Sequence, residues 1–324
     1  MAILITGGAG YIGAQTVRFL QEKDEEIIVV DSLEKGHLEA IDVKWFYSID
    51  IRNKEALDKV FETHVIESVI HFAAHSLVGE SMNDPFKYYD NNVLGTLNLL
   101  NTMQKHGVKR IVFSSTAAVY GDPKEVPIKE TEMLSPKNPY GETKRTVEHM
   151  MHWFEAAYGI HYVSLRYFNA AGAHPSGKFG EDHNPETHLI PLVLQVANNQ
   201  RDSISIFGDD YPTRDGTCIR DFIHVTDLAD AHHKALKHLR KTGQSGVFNL
   251  GSGQGYTVRE IIETARSITN HPIPSVIRDR REGDPPVLIA SYLKAEAILN
   301  WTPLRGIETI IKDAWAWHPA NPNG

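Results

Sequence analysis

Along the first half of the chain, short unbroken apolar runs alternate with longer stretches in which apolar positions recur every three or four residues. Ile3 to Ile5, Ile27 to Val30, Lys44 to Ile49, Ser68 to Ala73, Arg110 to Ser115 and Tyr162 to Phe168 make up the first set. Each is too short for a helix, and apolar side chains at successive positions suit a strand covered on both faces. The second set predicts helices: one carrying Ile12, Val17, Phe19 and Leu20, one capped by Asn53 and running through Thr63, one from Asn91 or Asn92 through His106, and one from Tyr140 to Tyr158. Strands alternating with helices in this way predict an α/β fold built on a doubly wound parallel sheet. Such sheets take ligands at the carboxyl ends of their strands, which singles out Thr6, Asp31, Asp50, Ala73 to Ser76, Ser114 to Thr116 and Tyr167 to Asn169.

Beyond Asn169 the texture changes, with Gly172, His174, Pro175, Gly177, Gly180 and Pro185 crowded into one stretch. A boundary is expected there, dividing residues 1–169, a Rossmann domain holding the main sheet, from residues 170–324, a smaller mixed α/β unit that supplies the substrate site. Phe248 to Leu250 reads as a strand returning to the main sheet, so part of 220–250 is expected to rejoin the first domain. Leu189 to Ala197, Val258 to Ile268, Leu293 to Leu299 and Thr309 to Trp317 read as short helices, and His318 to Gly324 as a loose tail.

Composition narrows the partners. A chain of 324 residues, 41% hydrophobic and 23% charged, can bury a sizeable core. Its net charge of −8 argues against a general nucleic-acid or anionic-membrane binder. Cys218 is the single cysteine, which excludes an internal disulfide and suits a packed thiol. The first strand candidate starts at Ile3 with no charged leader before it, and no run of about 18 apolar residues occurs, so a cytoplasmic protein without a membrane span is expected. The 17 histidines raise the question of a metal. They include His232-His233 and His149 with His152, but no His-Glu-x-x-His pattern or cysteine cluster accompanies them and adjacent histidines on a helix point to different sides, so no metal is expected. His224 reads as shaping the loop near Arg220.

Candidate chemistry begins right after the first strand. Gly7, Gly10 and Gly13 bring three residues without a Cβ into the turn that opens a helix, where free N–H groups and the positive dipole end can meet a diphosphate. The second strand ends in Asp31, eighteen residues after Gly13, near the spacing of an acid that holds a ribose diol and repels a 2′-phosphate. The cofactor implied is NAD. The Gly-x-x-Gly-x-x-Gly spacing resembles the extended short-chain dehydrogenase/reductase family.

Tyr140 and Lys144 lie four apart on one helix face. A Tyr-x-x-x-Lys pair is common by chance, and its bland reading is an aromatic beside a solvated lysine. Beside a nicotinamide, however, a base must take a hydroxyl proton as hydride leaves the same carbon. A free phenol, with a pKa of about 10, is a poor base at neutral pH and needs a nearby cation. Lys144 can be that cation, and Thr116 offers a hydroxyl to orient a substrate oxygen.

Longer segments carry a more specific resemblance. Phe113-Ser-Ser-Thr-Ala-Ala-Val-Tyr-Gly121, Asn138-Pro-Tyr-Gly-Glu-Thr-Lys144, Arg166-Tyr-Phe-Asn169 and Arg220-Asp-Phe-Ile-His-Val225 resemble the UDP-galactose 4-epimerase family. Gly79-Glu-Ser81, Tyr88-Tyr-Asp-Asn-Asn92, Phe207-Gly-Asp-Asp-Tyr-Pro212 and Gly283-Asp284 extend the likeness nearly end to end. The resemblance implies that the glycine turn with Tyr11, Ile12, Asp31, Ser32, Asp50 and Ile51 holds the adenosine and diphosphate side of NAD. Phe72, Ala73, Ala74, Ser76 and Asn91 would follow the cofactor inward. Thr116, Tyr140, Lys144 and Phe168 would surround the nicotinamide and sugar, while Asn169, His188, Leu189, Phe207, Arg220, Arg281 and Asp284 would hold UDP. It further implies a UDP-sugar substrate and a homodimer paired through the helices near 91–106 and 140–158. The sequence departs from some family members at Ser76, where they carry lysine, and at His188, where they carry asparagine. Leu288 stands where a tyrosine narrows the sugar pocket of epimerases limited to glucose and galactose, so N-acetylated UDP-hexoses are expected to find room. A 4,6-dehydratase would need an acid and a base beside Thr116, where Ala117 and Ala118 stand. A uronic-acid epimerase, a decarboxylase and a non-catalytic NAD-binding regulator are the remaining alternatives.

Overall fold

The computed structural model describes residues 1–281 and 284–318; Gly283 and the expected tail beyond His318 lie outside them. The first half runs β1 (Ala2–Thr6), α1 (Tyr11–Gln21), β2 (Ile27–Asp31), β3 (Trp45–Ser48), α2 (Lys54–Thr63) and β4 (Ile66–His71). It continues through α3 (Val78–Asn83), α4 (Pro85–Tyr88), α5 (Gly95–Lys105), β5 (Arg110–Thr116), α6 (Pro139–Tyr158) and β6 (His161–Tyr167). Alternate residues of β1 explain why its whole sequence is apolar. Ile3 and Ile5 enter the core on one sheet face with Val17 and Leu20 of α1, whereas Leu4 packs on the other with Leu57 of α2 and Leu99 of α5.

The second half adds β7 (Asn169–Ala171), α7 (Leu189–Ala197), β8 (Ile204–Phe207), β9 (Ile219–His224), α8 (Val225–Thr242) and β10 (Gly246–Leu250). β11 (Gly255–Thr257), α9 (Val258–Thr269), β12 (Ser275–Arg278), β13 (Val287–Leu288), α10 (Leu293–Leu299) and α11 (Ile307–Trp317) complete it. The main sheet has seven strands in the order β10-β6-β5-β4-β1-β2-β3, all of them parallel. Chain direction across the sheet reverses between β1 and β4, which opens a crevice at their carboxyl ends. β7, β11 and β13 gather around β9 in a second sheet, and β8 pairs with β12.

Three features differ from the sequence expectations. The helix α8 is long and buried but was not expected: Val225, Leu228, Leu236 and Leu239 mark its buried face, and His232 with Ala229, Ala231 and Ala235 weakens that stripe. The helix expected to begin at Asn91 or Asn92 continues α4 through a π-turn over Tyr89–Leu94. Asn92 is no cap: its side chain accepts from His75 N at 2.8 Å and donates to Thr143 Oγ1 at 3.1 Å. His318, read as the start of a tail, is buried just past α11. Of the segment 220–250, β9 stays in the second sheet while β10 joins the main one.

Candidate active site

The carboxyl ends of the main-sheet strands and the second-half loops enclose a cavity of about 1620 Å³. Its floor is the glycine turn. Gly7 has φ +72°, and a Cβ there would sit 2.5 Å from Ala73 N; a Cβ on Gly13 would sit 2.1 Å from Gly7 O. Gly10 is different in kind, since its Cβ would meet protein only at Gly7 O, 3.5 Å away. Its bareness leaves space for a ligand, and α1 starts there without a side-chain cap on its N–H groups. A dinucleotide diphosphate fits that cradle. At the end of β2, Asp31 accepts from Ala9 N and Leu33 N, each at 2.9 Å, while burial pushes its carboxyl upward. Asp50 and Ile51 line the next stretch of wall, where the Arg52 guanidinium holds the Asp50 carboxyl low. Ser32, Phe72, Ala73, Ala74, Ser76 and Asn91 also border the cavity.

Deeper in, β5 presents Thr116 and α6 presents Tyr140 and Lys144. Asn138 caps α6, accepting from Gly141 N at 2.8 Å, and Pro139 fixes its first turn. This places Tyr140 at the helix start, over the carboxyl end of β5. Lys144 is buried, donates from Nζ to Ser114 O at 2.7 Å and lies 6.0 Å from the Tyr140 ring centroid. Desolvation pulls its ammonium down to about 7, with Glu148 opposing. Burial pushes the Tyr140 phenol above its ordinary value, and a hydrogen bond with Thr116 pulls it back. In the protein alone the phenol is therefore protonated, and added positive charge is needed to make it a base. Behind these groups Glu148 pairs with Arg166 and accepts from Ser115 Oγ at 2.6 Å.

The opposite wall comes from the second half. Asn169, Leu189, Phe207, Arg220, Arg281, Asp284 and Leu288 line the cavity, together with Phe168. Arg281 stacks its guanidinium 4.0 Å from the Phe207 ring centroid, and Arg220 pairs with Asp284. Both cations thus stand on a wall that also carries Leu189, Phe207 and Leu288. Every residue expected from the sequence to hold cofactor or substrate borders this one cavity.

Two groups escaped the sequence reading. Glu34, Lys35 and His37 follow Asp31 around the cavity rim, on a loop whose pattern carries no signal. The second is Glu181, His183 and Glu186, whose ligand atoms lie with those of the expected His188 within 4.8 Å of one another. His188 was expected to face substrate, yet its Nδ1 is engaged by Glu181, whose carboxylate pushes the imidazole up to about 9. The spacing Glu-x-His-x-x-Glu-x-His was present in the sequence as a signal.

Residues 3–251 match the NAD-dependent epimerase/dehydratase family. A UDP-glucose 4-epimerase of Halalkalibacterium halodurans is 59% identical, with 100% of this chain and 97% of that protein covered. A crystal structure of a UDP-glucose 4-epimerase superposes with TM-score 0.98 at 52% identity, covering 100% of this chain and 99% of the other. The UDP-glucose 4-epimerase of Bifidobacterium longum, solved in complex with NAD+ and UDP, superposes with TM-score 0.95 at 40% identity over 100% of both chains.

Proposed function

The chain belongs to the NAD-dependent epimerase/dehydratase family, and from that premise we propose that it interconverts UDP-galactose and UDP-glucose by transient oxidation at the sugar C4. The observation that carries this reading is a single cavity bordered at once by the glycine turn, by Thr116, Tyr140 and Lys144, and by Arg220 and Arg281. When bound, NAD would supply the hydride acceptor and donor for the sugar C4 and positive charge beside the phenol. Gly7, Gly10, Tyr11, Ile12, Gly13, Asp31, Ser32, Asp50, Ile51, Phe72 to Ala74, Ser76 and Asn91 would hold it.

Tyr140 takes the proton from the sugar O4 and later gives it back; Thr116 orients that oxygen. Lys144 serves as the cation that lowers the phenol, and its place near neutral pKa also lets it pass a proton. Arg220 and Arg281 grip the diphosphate, with Asn169, Leu189, Phe207 and Asp284 around the uridine and Phe168 near the sugar. Holding UDP while leaving the hexose loosely bound lets the 4-keto ring turn over between the two hydride steps. His188 bounds the wall by its place at the start of α7. Ala117 and Ala118 offer no proton donor, which disfavours dehydration.

The site spans two units, residues 1–169 with the α8–β10 return, and the remainder of 170–324. The working assembly is a homodimer in the cytoplasm. Leu97 on α5 and Trp153 on α6 are exposed apolar side chains on neighbouring helices, the kind of surface a second copy covers. The test is conversion of UDP-galactose to UDP-glucose by protein purified without added cofactor. Turnover without added NAD supports the reading; no turnover of this substrate even with NAD supplied overturns it.

A further inference from the structure

Between β7 and α7 the chain crosses the mouth of the cavity in a loop that holds the Glu181, His183, Glu186 and His188 cluster. We propose that these four side chains form a structural site for a divalent transition ion, zinc by its chemistry, which fixes this loop over the nucleotide turn.

The donor geometry is compact. His183 Nδ1 lies 3.1 Å from Glu181 Oε1 and 3.8 Å from Glu186 Oε2, and His188 Nδ1 lies 4.0 Å from Glu186 Oε1 and in contact with Glu181 Oε1. A tetrahedral zinc with bonds of about 2.0–2.1 Å sets its ligands roughly 3.4 Å apart, so shifts of about an ångström in these side chains would seat it. The second observation is the state of the donors. Glu186 is 3% exposed at its side chain, yet its Oε2 is buried without a hydrogen-bond partner, and so is His183 Nδ1. Both atoms face into the cluster. Among the described residues no lysine or arginine pairs with either Glu181 or Glu186, so the only groups that balance these two buried carboxylates are the two imidazoles, whose nitrogens a metal ion can take over as ligands. A dication neutralises both and satisfies both orphaned atoms.

Two imidazoles and two carboxylates suit zinc, and no thiolate is needed. Glu186 is held in place from behind, since its Oε1 accepts from Thr187 N at 2.6 Å and His188 N at 2.7 Å. All four ligands come from one short loop, so the ion acts as a staple. That loop is tied to the nucleotide turn by Gln15 Nε2 donating to Phe179 O at 3.2 Å and Lys35 Nζ donating to Asn184 O at 3.0 Å. The His183 ring packs edge-on to Tyr11, their centroids 6.3 Å apart.

The test is metal content and cobalt binding of the full-length protein. After dialysis, one zinc per chain is expected by mass spectrometry, and cobalt in its place should give the visible absorption of a tetrahedral site. The double variant Glu181→Gln, His183→Ala should bind at least 100-fold more weakly, while His149→Ala, His152→Ala, which removes a surface histidine pair, should bind like wild type. No binding of zinc or cobalt by the wild type, or loss of binding only in the His149 and His152 variant, overturns the proposal. If the cluster variant does not fold, a crystal of the wild type grown with zinc decides through anomalous scattering at the zinc edge. A peak among the four side chains supports the site, and its absence overturns it.

Discussion

In the role proposed for it, Lys144 would serve chemistry at the expense of the fold. Its ammonium is buried against Ser114 O and the Phe113 ring, with a folded pKa of about 7 against about 10.4 in an unfolded chain. Between those values the unfolded chain holds a proton that the folded protein gives up, so this group makes stability rise with pH across about 7 to 10. Below pH 7 both states are charged and the cost of burial is felt in full. Lys144→Met should therefore raise the melting temperature of the NAD-free protein, more at pH 6 than at pH 9, by a few degrees at about 2–4 °C per kcal/mol. The same variant should lose most turnover; calorimetry at the two pH values checks the first claim, and an unchanged or lowered melting temperature at pH 6 would contradict it. Tyr140→Phe isolates the proton step. It should retain NAD and lower kcat by roughly 10²–10⁴, read from the conversion rate beside the NAD released on denaturation; near-normal turnover would remove the role given to the phenol.

Elements hold these residues in place through a small number of buried links. Glu148 on α6 pairs with Arg166 on β6, and Arg166 also donates to Tyr120 Oη at 2.9 Å. Truncating one partner strands the other charge in the interior, so Glu148→Ala should cost about 3–5 kcal/mol in urea unfolding. A loss below about 1 kcal/mol would mean that water reaches Arg166. On the far wall β13 pairs beside β9 and points Leu288 at the cavity next to Arg220. Leu288→Tyr should lower activity on UDP-GalNAc more than on UDP-galactose, by roughly tenfold for the ratio. An unchanged ratio would show that the limit on sugar size lies elsewhere.

The whole molecule sets its catalytic crevice with one sheet and covers it with another, while leaving apolar helix faces outside. Trp153 is 60% exposed and Leu97 42%. If the proposed homodimer pairs through α5 and α6, replacing Trp153 by Asp should shift it to monomer in light scattering at micromolar concentration, since that interface would then hold an unpaired charge. A dimer that persists would move the interface away from α6.

Much of this was legible in the sequence because the relevant signals are local. Strands buried on both faces write themselves as apolar runs, the glycine turn needs bare Cα positions in fixed order, and Tyr140 with Lys144 needs one helical turn, so the main strands, the cofactor and a candidate catalytic pair on the cavity wall could be named from neighbours in the chain. Tertiary structure decided what depends on distant partners. Only the folded chain brings Arg281 onto Phe207 and Arg220 onto Asp284, turns Asn92 from a helix cap into a bridge to Thr143, and buries the neutral His232 beside the leucines of α8. The Glu181 to His188 loop lies between these cases: its ligand spacing is local, but the burial that leaves Glu186 Oε2 without a partner comes from packing. Periodicity records which face of an element is covered; it does not record what covers it, and that is where desolvation sets the charge of Lys144 and the environment of Tyr140.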